Sequence, residues 1–169
     1  MMRNAILGFM LVFVLLLLFL DLKLAFWTSA AIPISFLGGL MIISFLGYSI
    51  NMITLFALIV VLGVVVDDAI IIGESIFEAQ ENDRENETTV LHGVRSVITP
   101  VTVGVTTTIA AFAPLLFSTG TLGQIISVIP VVVISILLVS LVEAYLILPA
   151  HLSNPSRWSK GIMLSLIHI

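Results

Sequence analysis

Long runs of apolar residues, interrupted by short polar breaks, make up most of the chain. No Asp, Glu, Lys or Arg occurs in residues 24–66 or 96–142, and each run exceeds the length of about 20 residues that one helix needs to cross a bilayer. Short uncharged turns divide the two runs, at residues 47–51 (GYSIN) and 118–124 (STGTLGQ). The pattern predicts five membrane-spanning helices, which lie at about residues 4–20, 24–46, 52–77, 97–117 and 125–148.

The composition agrees with this pattern. Of the 169 residues, 60% are hydrophobic and 9% are charged, whereas soluble domains carry about 25% charged residues. The sequence therefore predicts an all-α fold, a polytopic transmembrane helix bundle embedded in the lipid bilayer. Many of the acidic residues lie in the polar segment 78–95, which we expect to be an acidic loop in the cytoplasm.

Several classes of function are disfavoured by what the sequence lacks. The chain has no cysteine, which excludes disulfide frameworks and cysteine-based metal or redox sites. It has no Gly-rich phosphate loop that ends in Lys-Ser or Lys-Thr, which argues against ATP as an energy source. It has no basic patch for nucleic acid. We expect no enzymatic activity, no catalytic residues, no cofactor and no metal site.

The basic residues predict the orientation of the bundle, because cytoplasmic segments of membrane proteins are enriched in Lys and Arg. Arg3 lies on one side of the predicted bundle. The other basic residues lie on the opposite side, at Lys23, Arg84, Arg95, Arg157 and Lys160. We therefore expect a periplasmic N-terminus and a cytoplasmic C-terminus. An external N-terminus without a cleavable signal is unusual for a complete protein, so we expect further sequence before Met1.

The last residues are set apart from the bundle. Residues 164–169 (LSLIHI) resemble the translation of a transposon end that serves as a sequencing adapter, although a short apolar tail could match it by chance. We expect one transmembrane unit over residues 1–160 and a non-native tail over residues 161–169.

Two adjacent aspartates, Asp67 and Asp68, interrupt the apolar stretch GVVVDDAIII. An Asp at the centre of a membrane helix costs about 2.5 to 3.5 kcal/mol, so the pair requires an explanation. A helix end in water is one explanation, but the apolar run continues beyond the pair. Burial and mutual repulsion favour the protonated form of such a pair, and the two acids titrate as a coupled unit. The sequence thus predicts a proton-translocation site at Asp67 and Asp68.

Other residues are candidates for supporting this site. Gly63 and Glu74 share a helix face with Asp67, so Gly63 would allow close helix packing and Glu74 could gate the inner mouth. Glu143 lies near the inner interface, where we expect its carboxylate to extend to the lipid headgroups. Hydroxyls near the middle of the fourth span could relay protons or could bond their own backbone; these belong to Thr106, Thr107 and Thr108.

The aspartate pair has no cationic partner in the sequence. Every Lys and Arg of the chain lies outside the interiors of the predicted spans, as do His92 and His151. Either the pair is normally protonated, or its counter-ion belongs to sequence missing from this chain, and we favour the second explanation.

Four sequence blocks together resemble the resistance-nodulation-division (RND) efflux permeases, which are proton/drug antiporters of the bacterial inner membrane. The blocks are LFLDLKLAFWTSAAIPISFLGG, INMITLFALIVVLGVVVDDAIIIGESI, AAFAPLLF and EAYLILPAHL. In this family the GxxxDD motif carries the proton-coupling acids, which match Asp67 and Asp68. The DD pair points to the branch that exports drugs or amphiphiles. Ser75 departs from the family pattern, where Asn is expected after Glu74.

The resemblance implies a larger transporter. The chain resembles the second to sixth of twelve transmembrane helices, and the rest of the permease would supply an intramembrane lysine and arginine that pair with the acids. It further implies a homotrimer that works with a periplasmic adaptor and an outer-membrane channel. A related secretion or lipid-exporting permease remains an alternative, as does an inert truncated membrane fragment without activity of its own.

Overall fold

The computed structural model describes residues 2–20, 22–82 and 87–152, and every regular element within them is helical. The predicted tail at 161–169, with its adapter-like residues 164–169, lies outside the described residues. The α-helices are α1 (Met2–Phe19), α2 (Leu22–Phe45), α3 (Met52–Asn82), α4 (Glu87–Phe112), α5 (Gly120–Ile126), α6 (Val128–Val142) and α7 (Leu148–Leu152). A 3₁₀ helix (Ala113–Phe117) follows α4, and a π-helical turn (Glu143–Ile147) joins α6 to α7.

Among the described residues, four helical segments are long and apolar enough to cross a membrane: Leu22–Phe45, Met52–Gln80, Thr88–Phe117 and Gly120–Leu152. The first predicted span corresponds to a shorter apolar helix, Ile6–Leu18. The predicted all-α bundle is confirmed, and the chain is a multi-pass membrane protein.

The polar segment 78–95 is mostly helical, although its composition predicts a loop. Helix α3 continues to Asn82, and α4 begins at Glu87. Glu, Gln, Ala and Arg are good helix formers, so polarity here marks contact with water and not the end of a helix. As a consequence, Pro100 lies inside α4.

A glycine turn ends α2 where the sequence predicts a break. Gly47 has a φ of 81°, a left-handed conformation that costs other residues energy. Its N–H donates to Ser44 O at 3.0 Å, and the Tyr48 N–H donates to Ile43 O at 3.0 Å. These bonds satisfy carbonyls at the helix end in the manner of a Schellman motif.

The last span is longer and less regular than predicted. It begins at Gly120, before the predicted residue 125, and it continues past Pro149 to Leu152. Proline has no N–H and cannot complete the α-helical ladder. The π-helical turn precedes it, with the Leu148 N–H bonded to Glu143 O. The change to π-helical hydrogen bonds accommodates Pro149, so the helix continues beyond it.

Helix α6 forms the centre of the bundle and packs against α2, α3 and α4. Val132, Val133, Ile136 and Leu137 are each 0% exposed. The two glycines of α2 receive bulky side chains of α6: Gly39 lies against Ile136, and a Cβ added at Gly38 would lie 2.6 Å from Val139 Cγ1. Small residues let membrane helices approach closely where no hydrophobic effect drives association.

A second close contact joins α3 to α4. A Cβ added at Gly93 would lie 2.8 Å from Ile76 Cα and 2.9 Å from Ser75 O, which are backbone atoms that cannot move aside easily. The Ser75 hydroxyl donates to Gly93 O at 2.8 Å and lies 2.7 Å from Ser96 Oγ. Ser75, the departure from the family pattern, thus binds the two helices together.

We expect Gly93→Ala to destabilise the bundle. Forcing a methyl group into a filled contact destabilises a protein by about 1 to 3 kcal/mol. The higher helix propensity of alanine offsets up to about 1 kcal/mol of this loss. Gly104→Ala, on the same helix, is the matched control because open space surrounds Gly104. The free energy of unfolding in mixed detergent micelles should fall for the first variant and stay level or rise for the second. Equal effects of the two variants would contradict the α3–α4 contact.

Candidate proton-translocation site

The helix that carries the aspartate pair begins with a well-formed cap. Asn51 Oδ1 accepts hydrogen bonds from the N–H groups of Ile53 at 2.8 Å and Thr54 at 3.1 Å. Thr54 Oγ1 accepts one from the Asn51 N–H at 2.6 Å. Such reciprocal bonds satisfy amides that a helix start leaves unpaired. The cap fixes where α3 begins and therefore the depth of the aspartates along it.

The two aspartates occupy different environments. Asp67 is exposed on the surface of the described bundle. Asp68 is only 7% exposed, and its Oδ2 is buried without a hydrogen-bond partner in the described residues. Successive residues of an α-helix point about 100° apart, so one acid faces outward while the other faces the helices behind it. The pair is one buried and one accessible carboxylate at the same depth.

The outward face of α3 is open and carries the three predicted residues together. Gly63, Asp67 and Glu74 are all exposed, and nothing lies within 4 Å of a Cβ added at Gly63. Their spacing places them on one helix face. Among the described residues no helix packs at Gly63, so its packing role stays a prediction. The face is available to another protein segment or to lipid.

The three threonines predicted as relay candidates are at least partly exposed on α4, and two of them bond their own helix. Thr107 Oγ1 donates to Val103 O at 2.7 Å, and Thr108 Oγ1 donates to Gly104 O at 3.1 Å. Thr106 is exposed. Thr107 and Thr108 therefore bond their own backbone, which is the alternative to a proton relay that the sequence left open.

Sequence reasoning missed a polar cluster between α4 and the π-helical turn. The hydroxyls of Thr102 and Tyr145 are 2.9 Å apart, and both lie within hydrogen-bonding distance of Ile98 O, at 2.6 and 3.1 Å. The π-helical turn that carries Tyr145 also packs against α3, the helix of Asp68. A tyrosine near the end of an apolar span was the available signal, but it equally suits the membrane interface.

Glu143 does not extend to the lipid headgroups as predicted. Its side chain is only 3% exposed, because the π-helical turn that it begins packs against α2, α3 and α6. Distance along the sequence placed it near the interface, but the direction of its side chain is set by the helices around it. The prediction that Glu143 reaches the membrane surface is wrong.

The sequence model of the AcrB/AcrD/AcrF family matches residues 1–154. The chain belongs to this family. The predicted resemblance to RND permeases is therefore confirmed, and it extends over all of the described residues.

Family members of known name agree with this assignment. The chain is 30% identical over 143 residues to the multidrug export protein AcrF of Escherichia coli, with 83% of the chain and 14% of that protein covered. It is 32% identical over 146 residues to the multidrug resistance protein MdtC of Pantoea ananatis, with 80% and 14% covered. It is 29% identical over 153 residues to the swarming motility protein SwrC of Bacillus subtilis, with 88% and 14% covered. The chain thus spans about 14% of the length of these family members.

We expect Tyr145→Phe to weaken the contact between α4 and the π-helical turn. Interhelical hydrogen bonds in membrane proteins contribute about 0.6 to 1.7 kcal/mol, so the free energy of unfolding in detergent should fall by about 1 kcal/mol. Tyr48→Phe is the control, because no hydrogen bond of the Tyr48 hydroxyl occurs within the described residues. If both variants unfold like the original chain, the Thr102–Tyr145 cluster contributes no stability.

Proposed function

We propose that this chain is part of a proton-driven efflux transporter of the bacterial inner membrane, in which Asp67 and Asp68 bind the translocated proton. The observation that supports this proposal best is the unpartnered Oδ2 of Asp68, buried beside the exposed Asp67 within an apolar helix. An ionised carboxylate without partners is too costly to keep in the membrane interior. The pair therefore alternates between a protonated form and a form neutralised by a cation.

The difference in exposure suggests separate roles for the two acids. Asp67, on the open face, meets water and the counter-ion first. Asp68, buried behind it, transmits the change in charge to the helices that pack against α3. Glu74, exposed two turns further along the same face, attracts protons at the mouth of this path. Thr106 is the one threonine of its triplet that we retain as a relay candidate.

We infer that the rest of the transporter binds at the open face of α3. It carries Gly63, Asp67 and Glu74 together with large apolar side chains, such as Ile59, which is 71% exposed. A helix that carries Lys or Arg would cover this face and neutralise the pair. We propose that this cation comes from the remainder of the same permease. We further propose a homotrimer that exports drugs or amphiphiles through a periplasmic adaptor and an outer-membrane channel. Transport in this proposal involves no enzymatic step.

We expect Asp67→Asn and Asp68→Asn each to abolish export by a transporter that contains this segment. Asparagine keeps the size of the side chain but cannot take up and release a proton in this range. Drug accumulation in cells should rise to the level seen when a protonophore collapses the gradient.

Glu78→Gln is the control, since it removes an exposed acid at the end of α3 outside the proposed site and should leave export intact. Insertion should be intact in all three variants, measured as the amount of protein in washed membranes. Normal export by either asparagine variant would rule out proton coupling through the pair.

The orientation can be tested with single cysteines, because the chain has none of its own. Ser118→Cys and His92→Cys place thiols at exposed positions on opposite ends of the bundle. With a periplasmic N-terminus, a membrane-impermeant maleimide added to intact cells should label Cys at position 118 and spare position 92. Labelling of position 92 alone would show the inverse orientation.

A further inference from the structure

Glu143 is a buried acid that the proposed mechanism does not use. It is 3% exposed and begins the π-helical turn Glu143–Ile147. Its carboxylate makes no hydrogen bond with any group of the described residues. π-Helical turns inside α-helices often occur at functional sites. A carboxylate in this position requires a physical account, because an unpaired charge is not stable in an apolar interior.

Contacts between α2 and the last span show what Glu143 faces. Gly39 lies against Ile136, and the Lys23 ammonium donates to Leu152 O at 3.1 Å, so the two segments run antiparallel. Ile136 and Glu143 are seven residues apart and share a helix face, and the π-helical turn itself packs against α2. Glu143 therefore points into the seam between α2 and α6, at the level of residue 32 of α2.

Two buried hydroxyls of α2 without hydrogen-bond partners lie on either side of the level of Glu143. Ser35 Oγ and Thr28 Oγ1 are buried and have no hydrogen-bond partner within the described residues. Both lie on the face of α2 that carries Gly39, and Thr28 Oγ1 lies 2.8 Å from the position of a Cβ added at Gly73 of α3. Each is about one helical turn, or roughly 4.5 to 6 Å, above or below the level of Glu143. The seam thus holds one carboxylate and two hydroxyls that are all unsatisfied.

No cation of the described residues lies at this level. Lys23 is nine residues of α2 away from it, about 13 Å along the helix, and is bonded to Leu152 O. From α3 the nearest acid is Asp68, which the Thr28–Gly73 contact places at nearly the same level. Helix α6 itself carries no charged residue. Among the residues whose side chains the structure describes, the other titratable groups on these elements are Asp67, Glu74, Glu78, His92, Arg95, Tyr145 and His151.

The opening of the seam at the Lys23 end is closed by an aromatic contact. The rings of Trp27 and His151 stack with centroids 3.8 Å apart and planes 5° apart. This stack and the bond from Lys23 lie between Glu143 and the polar end of the bundle.

We propose that Glu143 is a second proton-binding site of the membrane domain, distinct from the aspartate pair and located in the seam between α2 and α6. One carboxylate oxygen takes up a proton, and the resulting carboxylic acid is neutral. Its O–H can donate to the oxygen of a seam hydroxyl or of a water molecule held between them. Release reverses this step, and Ser35 and Thr28 supply the hydrogen-bonding groups along the way.

Infrared spectroscopy of the full 169-residue chain in liposomes tests this proposal directly. A protonated carboxylic acid gives a carbonyl stretching band that an ionised carboxylate does not. Chain made with ¹³C-carboxyl glutamate should show, near neutral pH, a component of this band that shifts with the label. The component should be lost in Glu143→Gln and retained in Glu78→Gln, which removes an exposed acid.

The label separates this proposal from the proposed function, because protons on Asp67 or Asp68 give a component that the glutamate label does not move. If Glu143→Gln fails to insert, the labelled original chain and Glu143→Asp decide the matter. In Glu143→Asp the label-sensitive component should disappear, and an unlabelled one should replace it. Absence of a label-sensitive component in the original chain, or its persistence in Glu143→Gln, would overturn the proposal.

Discussion

A carboxylate inside a hydrocarbon layer has to be neutral, hydrated or paired with a cation, and this constraint shapes the central part of the bundle. Three acids lie within its long spans at similar depth: Asp67 on an open face, and Asp68 and Glu143 in buried positions. None has a cation beside it among the described residues. The two buried acids sit on helices that pack against each other, so a change in the charge of either one alters the same interface.

The packing around these acids depends on small residues and displaced hydrogen bonds. Gly38 and Gly39 allow α2 to approach α6, and Gly93 allows α4 to approach α3. The apolar core alone could form in several registers, because Val, Ile and Leu are similar in shape. The glycine contacts select one register, and they thereby determine which hydroxyls and acids meet. The π-helical turn adds to this selection, since it changes the direction of Tyr145 relative to a regular helix.

Membership of the AcrB/AcrD/AcrF family and the geometry of the bundle address different questions. The family identifies the chain as a segment of an RND permease. The geometry separates an accessible acid from a buried one and packs their helix against the turn that carries Tyr145. It also shows that Ser75, which departs from the family pattern, is a contact between helices. At this position the departure from the family pattern has a structural role, because the Ser75 hydroxyl binds α3 to α4.

The sequence by itself determined the fold class, the number of apolar segments and the position of the aspartate pair, because hydrocarbon thickness and the cost of buried charge act on local composition. The Asn51 cap and the Gly47 turn were equally predictable, since both depend on neighbouring residues. Only the tertiary structure decided which acid is buried, that Glu143 faces α2 and not the lipid headgroups, and that Thr102 meets Tyr145. These features depend on the rotation of each helix about its axis. That rotation is set by contacts between residues far apart in the sequence, so no local pattern contains it.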